Sequence, residues 1–245
     1  MGSLSPESAQ AEEGRIRTVY AKRQGNDARY SWFSPGYLFM MQERERRLLT
    51  LLQQHGWTSL ETCKILEVGC GTGYWLREFI KWGARPEHIT GVDLLSERVA
   101  EARRLCPEAV QVHCGSAAAL SCPSATFDLV LQSTVFTSVL DASMQRHMAS
   151  EMLRVVQDNG LILWYDYHVN NPWNSEVRGV TRQEIQQLFP GCRITLHRIT
   201  LAPPLVRLLA PYSWLMCYVL GKIPWFCTHY LGVIRKEPTQ GLYRC

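Results

Sequence analysis

Glu67, Gly69, Gly71 and Gly73 stand at alternate positions where the apolar run Lys64-Ile65-Leu66-Glu67-Val68 ends, and Asp93 closes a second apolar run twenty residues after Gly73. Glycine tolerates positive φ and has no Cβ, so glycines so placed let the backbone turn tightly and lie against a ligand. An acidic side chain emerging from the next strand at this distance accepts hydrogen bonds from both hydroxyls of a ribose. Together they point to a nucleotide cofactor. A dinucleotide fingerprint, G-x-G-x-x-G, needs its last glycine where this chain has Tyr74, which disfavours a nicotinamide oxidoreductase. Taken singly, a glycine-rich turn is also an ordinary tight connection, and an aspartate after a strand an ordinary helix cap.

A second concentration of chemistry lies in Trp164-Tyr165-Asp166-Tyr167-His168-Val169-Asn170-Asn171-Pro172-Trp173, at the end of an apolar run. His168 is the candidate base and Asp166 its orienting partner, since alternate strand residues point to one face. The competing reading is that His168 only caps a loop carbonyl. Tyr165 and Phe136 could surround a cationic group by cation–π attraction.

The elements that must position these residues follow from the periodicity. Apolar runs at 64–69, 89–94, 109–114, 127–132 and 160–167 are separated by segments of helical spacing, the alternation that builds a parallel sheet. Two late β-rich runs, 193–201 and 229–235, would supply an edge pair. Connections of the usual hand place the loops after the strands on one rim, where open α/β sheets bind ligands.

The string E-x-G-x-G-x-G at 67–73 resembles motif I of the class I S-adenosylmethionine-dependent methyltransferases, and Gly91-Val92-Asp93-Leu94 resembles their motif II. The resemblance continues, in the family's order, through Gly115-Ser116-Ala117, Phe127-Asp128-Leu129-Val130-Leu131, Leu153-Arg154-Val155-Val156 and Asn159-Gly160-Leu161-Ile162-Leu163, and covers roughly residues 60–170. It implies a Rossmann-like, doubly wound, mostly parallel sheet with an antiparallel terminal hairpin. It also implies S-adenosylmethionine held by Glu67, Gly69, Cys70, Gly71, Gly73, Asp93, Leu94, Ser116, Ala117 and Gln132, with Ser116 where the family usually has an acidic residue near the adenine. Gln132-Ser133-Thr134 does not resemble the N-P-P-Y loop of family members acting on planar amino or amide nitrogens.

Residues 1–14 are polar, lack the apolar core of a signal peptide, and read as a disordered leader. Pro6 occupies the place where a myristoylation motif wants Ser or Thr. Residues 15–59 read as an N-terminal helical segment, with a helix at about 37–54 that stops near Gly56. N-terminal segments of the family often fold over the cofactor as a lid, which puts Tyr20 and Arg23 near its amino acid end; the plainer reading is solvated surface. Residues 60–245 form the methyltransferase domain.

Nine cysteines form no C-x-x-C pair and leave one over, so no metal is expected and a reducing, cytoplasmic compartment is. A net charge of +4 without a basic helix or finger leaves nucleic acid an unexpected partner. Leu205, Leu208, Leu209, Tyr212, Leu215, Met216 and Val219 recur at helical spacing within an apolar cap insertion at about 203–226. The stretch is too short to span a bilayer. It reads as a helix packed on the sheet, or as an acceptor channel or peripheral membrane contact, because residues 161–245 carry nine Lys and Arg against four Asp and Glu. The expected activity is methyl transfer to an O or N acceptor on a small molecule or lipid. The alternative is a non-catalytic cofactor- or lipid-binding protein with the same fold.

Overall fold

The computed structural model describes residues 5–22, 28–171 and 174–237. Helices α1 (Pro6–Lys22) and α2 (Pro35–Gln54) precede strand β1 (Ile65–Val68). The chain then alternates through α3 (Tyr74–Lys81), β2 (Ile89–Asp93), α4 (Ser96–Leu105), β3 (Gln111–Cys114), β4 (Phe127–Ser133), α5 (Ala142–Val155) and β5 (Val156–Tyr167). It finishes with α6 (Arg182–Leu188), β6 (Cys192–Leu201), α7 (Pro203–Leu209), α8 (Trp214–Leu220) and β7 (Cys227–Lys236).

The seven strands form one sheet in the order β3-β2-β1-β4-β5-β7-β6. The first five in that order are parallel, and β7 runs antiparallel to both β5 and β6. The late pair is thus the antiparallel hairpin the resemblance implies, with β7 inserted between β5 and β6. Strand β5 shows why the sheet reads as continuous apolar runs: Ile162 and Trp164 enter one buried cluster, Leu161, Leu163 and Tyr165 the other. Period-two alternation with both faces covered leaves no polar face. Helices α5 and α6 cover the first cluster; α2, α3 and α4 cover the second. Strand order reverses between β1 and β4, and the carboxyl ends of β1, β2 and β4 open a crevice there.

Of the disordered leader expected over residues 1–14, residues 1–4 lie outside the described residues and residues 6–14 are helical, because α1 begins at Pro6. Its first turns are rich in Ala, Glu and Gln, good helix formers that give no apolar periodicity to read. Glu12 is buried in its middle, bonded to Arg15 at 2.8 Å and accepting from the backbone N–H of Leu140 at 2.5 Å. Arg15 also donates to the carbonyl of Ser138 at 2.6 Å. Burial pushes the Glu12 carboxyl up, but the Arg15 and Leu140 donors outweigh it and hold the group below the ordinary glutamate range. Pro35 opens α2 at a position where its missing N–H is no loss.

Residues 203–226 fold as α7, α8 and a 3₁₀ turn over Pro224–Phe226, docked on α2 and β6 through Phe39, Leu201, Val206, Ala210 and Cys217. Only Val206 of α7 and Cys217 of α8 are buried. Most of the apolar stripe that predicts a helix packed on the sheet therefore faces outward.

Candidate functional site

Strand β1 delivers the chain into a turn in which Gly69 and Gly71 take φ of 70° and 54°. The turn passes under the loop after β4, and a Cβ on Gly69 would meet Val135 Cγ2 at 2.4 Å. Asp93, at the end of β2, ties the turn down: its Oδ2 accepts from the N–H of Gly71 at 2.8 Å and its Oδ1 from the N–H of Leu95 at 2.9 Å. Two bonds leave a carboxylate with acceptor capacity to spare.

These residues line a cavity of about 420 Å³, within the range of small-molecule sites. Tyr20, Glu67, Gly69, Cys70, Gly71, Asp93, Leu94, Ser116 and Ala117, all anticipated from sequence, line it together. Glu67 is 2% exposed and its Oε2 has no hydrogen-bond partner. Burial first, and then the nearby Asp93 charge, push its carboxyl well above the ordinary range. Gly73 is not a lining residue: it begins α3, and a Cβ there would meet Cys106 Sγ at 2.8 Å. Gln132 is fully buried behind the wall, accepting from the N–H of Val135 at 3.3 Å and donating toward the carbonyl of Tyr165 at 3.5 Å. It holds the loop whose Ser133, Thr134 and Val135 line the cavity. Arg23, Pro172 and Trp173 lie outside the described residues.

The expected catalytic group differs most. Asp166 is completely buried and accepts from Thr137 N–H at 3.2 Å, Thr137 Oγ1 at 2.7 Å and Tyr167 N–H at 2.9 Å, not from His168. Its burial, against the pull of the Thr137 donors, pushes it up to about 7. His168 donates from Nε2 to the carbonyl of Cys227 at 3.0 Å, and its ring lies tilted against that of Tyr230, 4.5 Å between centres. Burial lowers its pKa below the ordinary histidine value. Tyr165 donates to or accepts from Thr200 Oγ1 at 3.0 Å. None of the three lines the cavity. Alternation does put residues 166 and 168 on one face, but this face is covered by the loop carrying Thr137 and by the hairpin, which take up their polar atoms.

The structure adds a wall that sequence reasoning missed. Tyr30, Tyr37, Met41 and Arg44 from the N-terminal segment line the cavity with Tyr74 and Trp75 of α3. Tyr30 and Trp32 pack edge-on against Tyr37 at 6.0 and 5.3 Å, and Trp32 lies 5.8 Å from Tyr74. The guanidinium of Arg44 lies 4.6 Å from the centre of the Tyr165 ring and 5.3 Å from that of Trp75, and its buried Nε has no partner. Arg98 lies 4.4 Å over Tyr20, whose hydroxyl is 3.0 Å from Ser138 Oγ. The aromatic density of 30–37 was a signal; its meeting with α3 was not. Thr134, a β-branched residue at φ 58°, marks backbone strain in the same wall.

The residues present fit an S-adenosyl cofactor. A buried Glu67 carboxyl whose Oε2 has no partner, free acceptor sites on Asp93 and a glycine turn with no Cβ suit hydroxyl and ammonium groups, and Leu94, Ala117, Met144 and Met148 suit a flat apolar ring. Among the described residues no cluster of metal ligands occurs, and no helix is long and apolar enough to cross a membrane.

Residues 65–160 match the family described as "Methyltransferase domain". No curated protein matches the chain. A 1,6-didemethyltoxoflavin-N1-methyltransferase of Burkholderia thailandensis, solved with 1,6-didemethyltoxoflavin and S-adenosylhomocysteine, aligns with a TM-score of 0.60 at 17% identity, covering 97% of this chain and 93% of that one. An S-adenosylmethionine-dependent methyltransferase of Mesorhizobium loti aligns at 0.55 and 16%, covering 76% and 95%. The [4+2]-cyclase SpnF aligns at 0.58 and 16%, covering 93% and 94%. At these identities the likeness is one of fold. The domain match is to a methyltransferase model over residues 65–160, and the neighbours that share the fold include S-adenosylmethionine-dependent methyltransferases.

Proposed function

We propose that this chain transfers a methyl group from S-adenosylmethionine to an oxygen or nitrogen of a small-molecule or lipid acceptor. The observation that carries the proposal is the cavity in which the glycine turn, Asp93 and Glu67, with its unpartnered Oε2, face the aromatic wall of Tyr30, Tyr37, Tyr74 and Trp75. Asp93 would hold the ribose, and Glu67, Gly69 and Gly71 the amino acid end. When bound, the cofactor supplies a methyl group activated on a sulfonium.

The chain's own residues then have two tasks. The aromatic wall and Arg44 orient the acceptor and exclude water, and in-line displacement draws most of its rate from such positioning. Acceptors that must lose a proton need a group in the cavity. Among the described residues no histidine lines it, so a proton acceptor would be one of the lining oxygens, those of Tyr20, Tyr30 and Tyr37 among them, rather than His168. Peripheral membrane contact through residues 203–226 belongs to the lipid form of this reading. A different reaction on the same fold keeps one supporting observation: a [4+2]-cyclase shares it, so the fold does not fix the reaction.

Incubation with S-adenosylmethionine labelled in the methyl group and a pool of small metabolites and lipids tests the proposal, because labelled product identifies reaction and acceptor together. Calorimetry on Asp93→Ala should show S-adenosylhomocysteine binding weakened by about 1.5–3 kcal/mol, the worth of a charge-assisted hydrogen bond. Tight NADH binding with no response to S-adenosylhomocysteine would end the methyltransferase reading.

A further inference from the structure

Among the described residues, every exposed large apolar side chain except Leu105 and Val169 lies in 30–33 or 208–226. The two segments meet: Trp32, Phe33, Pro35 and Leu38 line one shallow hollow with Tyr212 and Trp214. Phe33 is 98% exposed, Tyr212 and Trp225 86% and Leu215 71%. A contiguous apolar surface of this kind on a single chain marks an interaction site.

We infer that residues 30–33 and 203–226 form one face that docks on a lipid bilayer carrying anionic headgroups. Charge selects this occupant. The stretches 30–42 and 203–226 contain no Asp or Glu, and their only charges are Arg207 and Lys222. Arg46 of α2 and Lys222 flank the exposed Tyr218, at 5.1 and 4.7 Å from its ring. Glu43, whose Oε1 would lie 3.7 Å from a Cβ on Gly221, is buried and paired with Arg47. Tryptophan and tyrosine with a basic rim suit the headgroup boundary, where an amphipathic ring keeps its polar edge wet. Neither α7 nor α8 is long enough to span a membrane, so the chain lies on the surface.

The face also adjoins the cavity. Trp32 belongs to the face and touches Tyr37 and Tyr74, which line the cavity. An apolar acceptor partitioned into the bilayer would thus meet the aromatic wall without crossing water. This inference rests on the lipid form of the proposed function for its purpose, and on the surface alone for the docking.

The test is co-sedimentation of the full chain with phosphatidylcholine vesicles, with and without phosphatidylserine. Phosphatidylserine should raise binding and added salt should lower it. The double variant Phe33→Ser/Trp225→Ser should lose roughly tenfold or more of its partitioning, and Lys222→Gln or Arg46→Gln roughly fivefold each on phosphatidylserine only. Melting temperature and S-adenosylhomocysteine binding should not change in the double variant, since both side chains are solvent-exposed. Absence of sedimentation with either vesicle, or equal binding by the double variant, would overturn the docking. So would light scattering that shows a dimer which the double variant dissolves, since the occupant would then be a second copy of this chain. Vesicle binding without any S-adenosylhomocysteine binding would instead sink the proposed function and leave the docking standing.

Discussion

Gly69 and Gly71 share the left-handed region of backbone space for different reasons. At Gly69 the obstacle is the protein, with Val135 Cγ2 only 2.4 Å from where a Cβ would stand; at Gly71 a Cβ would meet nothing nearer than Arg98 Nη1 at 3.6 Å. Gly69→Ala should therefore lower stability by about 1–3 kcal/mol, read from denaturant unfolding. Gly71→Ala should cost less in unfolding and more in S-adenosylhomocysteine affinity, because the added methyl projects toward the ligand's side. Asp166 makes a different prediction. Its carboxyl is pushed from 3.8 to about 7, so the folded state holds a proton that the unfolded chain has released. Stability from this group is complete below the ordinary carboxylate range and is lost as pH rises through about 7. Asp166→Asn should flatten that fall, and unfolding curves that remain equally steep in pH would show that the Thr137 donors keep it ionised. The turn and Asp93 were legible because their spacing carries the chemistry. The base-and-partner pairing of His168 with Asp166 was not, since alternation tells which face a side chain takes and not what covers that face; the competing reading of His168, a cap on a carbonyl, matches its bond to Cys227.

Helix α1 is held on the domain by a buried charge together with Ser8, Arg15 and Tyr20, which bond Asp141, Ser138 and Glu176. Glu12 joins α1 to the segment before α5 through the N–H of Leu140 and, at 3.4 Å, that of Asp141. Its pKa lies below the ordinary glutamate value, so its contribution is present at neutral pH and is lost as pH falls through the lowered value. Acid should thus release α1 before the sheet unfolds, uncovering the Ile16 and Tyr20 side of the cavity. Hydrogen exchange at Leu140 should accelerate at acid pH in the native chain, and Glu12→Gln should remove most of the pH dependence. Unchanged protection of Leu140 would mean that the remaining bonds, from Ser8 to Asp141 and from Arg15 and Tyr20 to Ser138, hold the helix without Glu12. Nothing in the sequence of residues 6–14 signals this attachment, because the partner amides lie more than a hundred residues away and polar helix formers look like a solvated tail. The strands were legible for the opposite reason: β1, β2 and β4 are buried along their length and read as apolar runs.

At the scale of the whole molecule the cavity is where separately folded layers meet, and it should couple to global stability. Its walls come from α1, α2, the turn after β1, the loop after β4 and α5, which otherwise belong to two different buried clusters on opposite faces of the sheet. That convergence is invisible to motif reading, which expected the cofactor at residues 67–73, 93–94 and 116–117 and left Tyr37 and Arg44 unassigned. A ligand bound only by the native state raises stability by RT ln(1 + [L]/Kd), about 2.7 kcal/mol at a hundredfold excess over Kd. For a chain of this length each kcal/mol moves the midpoint by roughly 2–4 °C. Saturating S-adenosylhomocysteine should therefore raise Tm by roughly 5–11 °C, and Asp93→Ala should forfeit much of the rise at the same ligand concentration. NADH should produce no comparable shift, because Tyr74 stands where the dinucleotide turn needs glycine and its hydroxyl is committed to Glu45 at 2.5 Å. A melting curve indifferent to S-adenosylhomocysteine would mean that the glycine turn and Asp93 only brace the strand ends, and the proposed function would fall with it.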